Sequence, residues 1–131
     1  MRTMNTTTVV GLLLIVAIAM LIVRGRKSAG GMANYTAEQF GDKLREKPEP
    51  MLVDVREPAE FHSGHLPGAV NLPLSGLKGY LSKLPKDQEI LLYCRSGMRS
   101  KRAGSIIRGY GIEKIGHLQG GIVSWSGKLI R

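Results

Sequence analysis

A chain of 131 residues that is 43% hydrophobic has room for one domain of ordinary size and not for two. Its single cysteine excludes an intramolecular disulfide and suits a reducing compartment. The formal charge of +9 does not mark a nucleic-acid binder: Arg2, Arg24, Arg26 and Lys27 flank an apolar run, and the other basic residues interleave with ten acidic ones, without the aromatic-and-basic stripe that single strands require.

The apolar run is "VVGLLLIVAIAMLIV", Val9 to Val23. With Thr6 to Thr8 it makes about 18 residues, inside the roughly 17–25 that cross a bilayer. A buried core helix would be shorter and amphipathic. A cleaved signal peptide wants a basic start and a small-x-small site, and "RGRK" follows the run instead. The best reading is a retained single-pass anchor: a tail over 1–8, a transmembrane helix over 9–23, a basic, Gly-rich linker over 24–32 and a domain over 33–131. Arg24, Arg26 and Lys27 put that domain on the cytoplasmic side of the lipid bilayer.

The domain opens with "YTAEQFGDKLREK", where Thr36 and Gln39 have capping-box spacing and Ala37, Phe40 and Leu44 supply an apolar helix face. Met51 to Val55 reads as a buried strand, Pro58 to His62 as a short helical turn, and Ala69 to Leu72 as a further strand. Leu74, Leu77, Leu81 and Leu84 recur at helical spacing and stop at Pro85. "EILLYC" is the clearest buried strand, "SKRAGSIIRGYG" the helix after it, "IEKIGHLQGG" a last strand and "GIVSWSGK" a short last helix. Strands alternating with helices predict an α/β fold around a mostly parallel sheet, whose ligands sit beyond the carboxyl ends of the strands. Cys94 lies at such an end.

A thiol attacks only as thiolate, and helix N-termini, nearby cations and loop amides favour that form. Cys94, Arg95, Ser96, Gly97, Met98, Arg99 and Ser100 offer all three if the loop curls round the sulfur. Gly97 permits the turn, and Arg99 and Arg95 supply cationic donors to an anionic substrate. The alternative is a buried structural cysteine at a strand end. The spacing of His62, His65 and His117 fits no standard zinc pattern, so no metal is expected. Trp125 is expected to anchor the last helix in the core, and Met98 to line the pocket or fill the loop.

"CRSGMRS" resembles the active-site loop of the rhodanese, or thiosulfate sulfurtransferase, family. "LVDVREPAEFHSGHLPGAVNLP" and "LQGGIVSW" resemble its flanking signatures, so the resemblance covers about Ala33 to Lys128. It implies a rhodanese-like five-stranded parallel sheet flanked by helices, here preceded by one transmembrane helix. It also implies a ping-pong reaction without a cofactor. Cys94 takes sulfane sulfur from thiosulfate or a similar donor, held by Arg95, Ser96, Gly97, Met98, Arg99 and Ser100. An external thiol, cyanide or protein acceptor then removes the sulfur from the persulfide. Asp54 and Arg56, in the first signature, look like a structural ion pair beneath the site, and His65 like a framework position. Two alternatives stand beside this reading. One is a sulfur carrier or docking module with little turnover of its own. The other is an enzyme similar to the cell-cycle phosphatases or arsenate reductases of the same fold. Their loop places arginine six positions after the cysteine, whereas Arg99 follows Cys94 by five.

Overall fold

The computed structural model describes residues 3–29 and 31–131, with side chains described for 3–21 and 31–131. The chain forms two compact units that divide between Gly31 and Met32.

The first unit is one helix, α1 (Thr6–Ala29). The Asn5 side chain accepts the Thr8 amide hydrogen at 3.0 Å and so satisfies one of the orphan donors of its first turn. The apolar side chains of Leu13, Ile15 and Leu21 stand about two-thirds exposed, and their neighbours on other faces are exposed as well. Among the described residues, however, no helix is long and apolar enough to cross a membrane. The span expected over 9–23 is therefore not borne out at this level. The side chains of Ile22 and Val23, at the end of the expected span, lie outside the described residues. The linker expected over 24–32 is also revised. The helix runs on to Ala29, and Met32 packs against the core of the second unit.

The second unit runs β1 (Ala33–Tyr35), α2 (Ala37–Leu44), β2 (Met51–Asp54), α3 (Pro58–Ser63), β3 (Val70–Asn71), a 3₁₀ helix (Leu74–Lys83), β4 (Ile90–Tyr93), α4 (Met98–Gly109), β5 (Ile115–Leu118) and a 3₁₀ turn (Ile122–Ser124). The five strands form one parallel sheet, as the resemblance implied, and their order is β1-β5-β4-β2-β3. The capping box at Thr36 and Gln39 is present and starts α2. Some elements differ from the sequence reading. β1 was not expected at all, α4 begins at Met98 rather than Ser100, and the leucine-rich stretch and the last segment are 3₁₀ rather than α.

Strand periodicity sorts the core into two halves. In β4, Ile90 and Leu92 point to one face together with Cys94, just beyond the strand. Leu91 and Tyr93 point to the other. The first face packs under α4 through Ala103 and Ile107 and under the 3₁₀ helix through Leu77. The second packs under α2 through Phe40, with Trp125 edge-on to the Phe40 ring at 6.2 Å. All four β4 side chains are fully buried. Burying each adds about 1.5–3 kcal/mol of transfer free energy, which makes β4 the rigid base on which Cys94 is mounted.

Candidate active site

The chain turns sharply after Cys94. Gly97 takes φ 106°, which a side chain at that position would disfavour, and becomes the N-cap of α4. The turn brings the Gly97 amide to the sulfur, donating to Sγ at 3.0 Å, with Ser100 Oγ 3.5 Å from Sγ. The outer side of the turn is fixed by the last segment. The amides of Ile122 and Val123 donate to the carbonyls of Cys94 and Arg95 at 2.9 and 3.3 Å. Gly121, at φ 65° and ψ −163°, lies so close that a Cβ there would sit 2.2 Å from the Arg95 carbonyl oxygen. This contact is what "LQGG" supplies: it ties down the loop carbonyls while the amides serve the sulfur.

Burial pushes the Cys94 thiol up. The Ser100 hydroxyl and the amides of Ser100, Gly97 and Ser96 outweigh it, so the thiol lies below its ordinary value. Amides and a hydroxyl thus do the work that the sequence reading gave partly to arginines. Arg95 is exposed. Arg99 is paired: its Nη1 and Nη2 donate to Glu60 Oε1 and Oε2 at 2.6 and 2.9 Å. The Arg99 hydrogen bonds hold the Glu60 carboxyl down at about 2, against burial, with help from the Glu57 amide. The cation at the loop is therefore latched to α3 rather than open to an anion. Met98 is 81% exposed at the rim.

Asp54 and Arg56 form the expected ion pair, and both are buried. Arg56 Nη2 donates to Asp54 Oδ2 at 2.8 Å, and its Nε lies 3.1 Å from both carboxylate oxygens. The guanidinium also donates to the Gly64 carbonyl at 2.7 Å, just past the end of α3. The pair therefore positions the short helix that carries Glu60, and Glu60 in turn sets Arg99. His65 is structural: its ring stacks on Phe61 at 3.7 Å and its Nδ1 bonds the Phe61 carbonyl oxygen at 2.9 Å.

Sequence reasoning missed two residues. His117 on β5 brings Nδ1 to 2.9 Å from Ser100 Oγ, and its Nε2 lies 2.6 Å from Asn34 Oδ1. Asn34 is its direct cross-strand partner on β1. The available signal was period two in "IGHL", which puts His117 on the face of Ile115 and hence of Cys94. Nothing comparable marked a three-residue edge strand at Asn34.

A nucleophilic sulfur ringed by amide donors, at the N-terminus of a 12-residue helix, can attack an electrophilic atom and bind the anionic group that leaves. Comparison with known proteins agrees with this geometry. The model of the Rhodanese-like domain matches residues 36–128. Among curated proteins, the chain is 41% identical over 98 residues to the uncharacterized protein YqhL of Bacillus subtilis, covering 75% of each chain. It is 36% identical over 90 residues to a sulfurtransferase of Allochromatium vinosum, covering 69% of this chain and 84% of that one. Among solved structures, a Rhodanese-like domain protein from Staphylococcus aureus superposes with a TM-score of 0.69 at 26% identity, covering 76% of this chain and 97% of the other. The chain belongs to the rhodanese family.

Proposed function

We propose that this protein is a membrane-anchored sulfurtransferase that moves sulfane sulfur from thiosulfate, or a donor of similar charge, to a thiophilic acceptor through a Cys94 persulfide. The family supports a general role in sulfur transfer. The observation that carries the reading is the Cys94 sulfur itself, accepting the Gly97 amide at 3.0 Å in a loop whose Ser96 and Ser100 amides also favour the thiolate. The thiolate attacks the outer sulfur of the donor, the sulfur–sulfur bond breaks, and sulfite leaves with the electron pair. An external thiol or cyanide then attacks the persulfide and regenerates the thiolate. The acceptor comes from outside, since Cys94 is the only cysteine.

The latched Arg99 favours a second reading, a carrier that receives sulfur from a protein donor and turns over slowly with free thiosulfate. Both readings require Cys94. Thiocyanate production from thiosulfate and cyanide is expected from the full chain and absent from Cys94→Ser, with no comparable hydrolysis of aryl phosphates. A carrier would load from thiosulfate yet release little thiocyanate. Phosphatase activity dependent on Cys94 and exceeding sulfur transfer would overturn both.

The anchor belongs to the same proposal. The apolar run to Val23, the exposed apolar side chains of α1 and the basic cluster at Arg24, Arg26 and Lys27 support a single span with the domain in the cytoplasm.

A further inference from the structure

Ser100 has one hydroxyl proton and three neighbours that can accept it. Its Oγ lies 3.1 Å from the Gly97 carbonyl, 2.9 Å from His117 Nδ1 and 3.5 Å from Cys94 Sγ. The Gly97 carbonyl also accepts the Lys101 amide at 3.1 Å and lies farther from Ser100 Oγ than His117 Nδ1 does, so the ring nitrogen is the nearest acceptor and the sulfur its competitor at the other end. Asn34 Oδ1 can only accept, so the 2.6 Å contact requires a proton on His117 Nε2. A neutral His117 therefore presents a bare Nδ1, and the Ser100 proton points to it, leaving Ser100 Oγ free to accept from the Cys94 thiol. A charged His117 donates from Nδ1 to Ser100, and the Ser100 proton turns to a Cys94 thiolate. The two ends of the chain of bonds are thus coupled through one hydroxyl.

We infer that His117, held by Asn34 and reaching Cys94 through the Ser100 hydroxyl, takes the proton that Cys94 releases on becoming a nucleophile and returns it when the sulfur is handed on. The step balances. The Cys94 S–H bond breaks as Ser100 Oγ gains that proton, and the Ser100 proton passes to His117 Nδ1, giving thiolate and imidazolium with no change in total charge. The surroundings give such a relay a reason to exist. Cys94 is 1% exposed, Ser100 is fully buried and His117 is 4% exposed, but His117 and the exposed Asn34 line an open cavity of about 280 Å³ beside the loop residues Ser96, Gly97 and Met98, and Cys94 does not line it. The relay joins a buried thiol to a place where water can exchange the proton. The groups that set its balance are few. Cys94 after β4 and the Lys101 ammonium on α4 are the titratable groups facing His117, and β1 offers the uncharged Asn34. Burial and Lys101 both push His117 below its ordinary value, so the resting imidazole is neutral with Nδ1 open, and these two influences oppose the imidazolium, which the facing thiolate must offset.

The inference deepens the sulfur-transfer reading and rests on it for the relay's use in turnover, but its test reads the thiolate alone, so the two can fail separately. The rate of alkylation of the full chain by iodoacetamide, followed from pH 5 to pH 10 in detergent, reports the only thiol in the protein. His117 acts here as a positioning residue, and a pH profile separates that role from mere packing. In His117→Asn, which cannot take the proton, the thiolate midpoint should rise by about half a unit to one unit, slowing alkylation about three- to tenfold at pH 6. At pH 9.5 the rate should change less than about twofold, because the thiol ionises there unaided. In Asn34→Asp, a carboxylate on Nε2–H favours the imidazolium, so alkylation at pH 6 should quicken about threefold. If His117→Asn fails to fold, the Asn34→Asp arm decides alone. Profiles that superimpose on the parent, or a slowing by the same factor at every pH, would overturn the relay.

Discussion

At the scale of single residues, the two features that govern reactivity are the amide ring on Cys94 and the latch on Arg99. A guanidinium bound through two nitrogens to one carboxylate is a competitor for any anionic donor, because charge-assisted hydrogen bonds contribute roughly 1.5–3 kcal/mol each. Glu60→Gln should release Arg99 and lower the KM for thiosulfate about three- to tenfold, while Arg99→Ala should raise it by about tenfold or more. Steady-state kinetics on the two variants check both directions, and equal KM values in parent, Glu60→Gln and Arg99→Ala would show that backbone amides alone hold the donor. The same pair gives a pH dependence of stability. Glu60 is held at about 2, below its ordinary 4.5, so its contribution is present above about pH 4.5 and is lost as the pH falls toward 2. Because both side chains are about a third exposed, that contribution is small. Glu60→Gln should flatten the acid limb of the stability curve without moving the plateau by more than about 1 kcal/mol in denaturant titrations.

At the scale of elements, the loop is held from outside by the segment that follows β5. Gly121→Ala would place a Cβ against the Arg95 carbonyl and force a backbone conformation open essentially to glycine alone. The variant should be less stable by about 1–3 kcal/mol and should lose sulfur transfer more steeply than it loses fold. Melting temperature and activity measured side by side distinguish that from general unfolding. Elements also show what the sequence could and could not disclose. The cysteine loop, β4 and the Thr36 capping box were legible, because each rests on local chemistry: an apolar run, a glycine turn, reciprocal caps. The Asp54–Arg56 pair was legible through the family resemblance. β1 was not, since three residues cannot display a period. With it went Asn34, and the meaning of His117, whose partners lie 17 and 83 positions away in the chain. The Arg99 latch depends on α3 being brought to the loop by Arg56, a tertiary fact with no sequence period. The 3₁₀ character of Leu74–Lys83 was hidden because leucines spaced by three and four suit either helix.

At the scale of the whole molecule, the protein joins an apolar helix to a domain whose chemistry needs a visiting donor and a visiting acceptor. The anchor reading predicts that the full chain resists alkaline extraction from membranes and that a reporter after Arg131 behaves as cytoplasmic. A soluble product starting near Ser28 would establish cleavage instead. The central claim, however, is that one buried thiol is built to hold a sulfur atom, and intact-protein mass spectrometry addresses it most directly. After incubation of the full chain with thiosulfate and removal of excess donor, the account predicts a gain of roughly 32 Da, one sulfur atom, on Cys94, reversed by cyanide and absent in Cys94→Ser. An unchanged mass in the parent protein, or the same gain in Cys94→Ser, would contradict it.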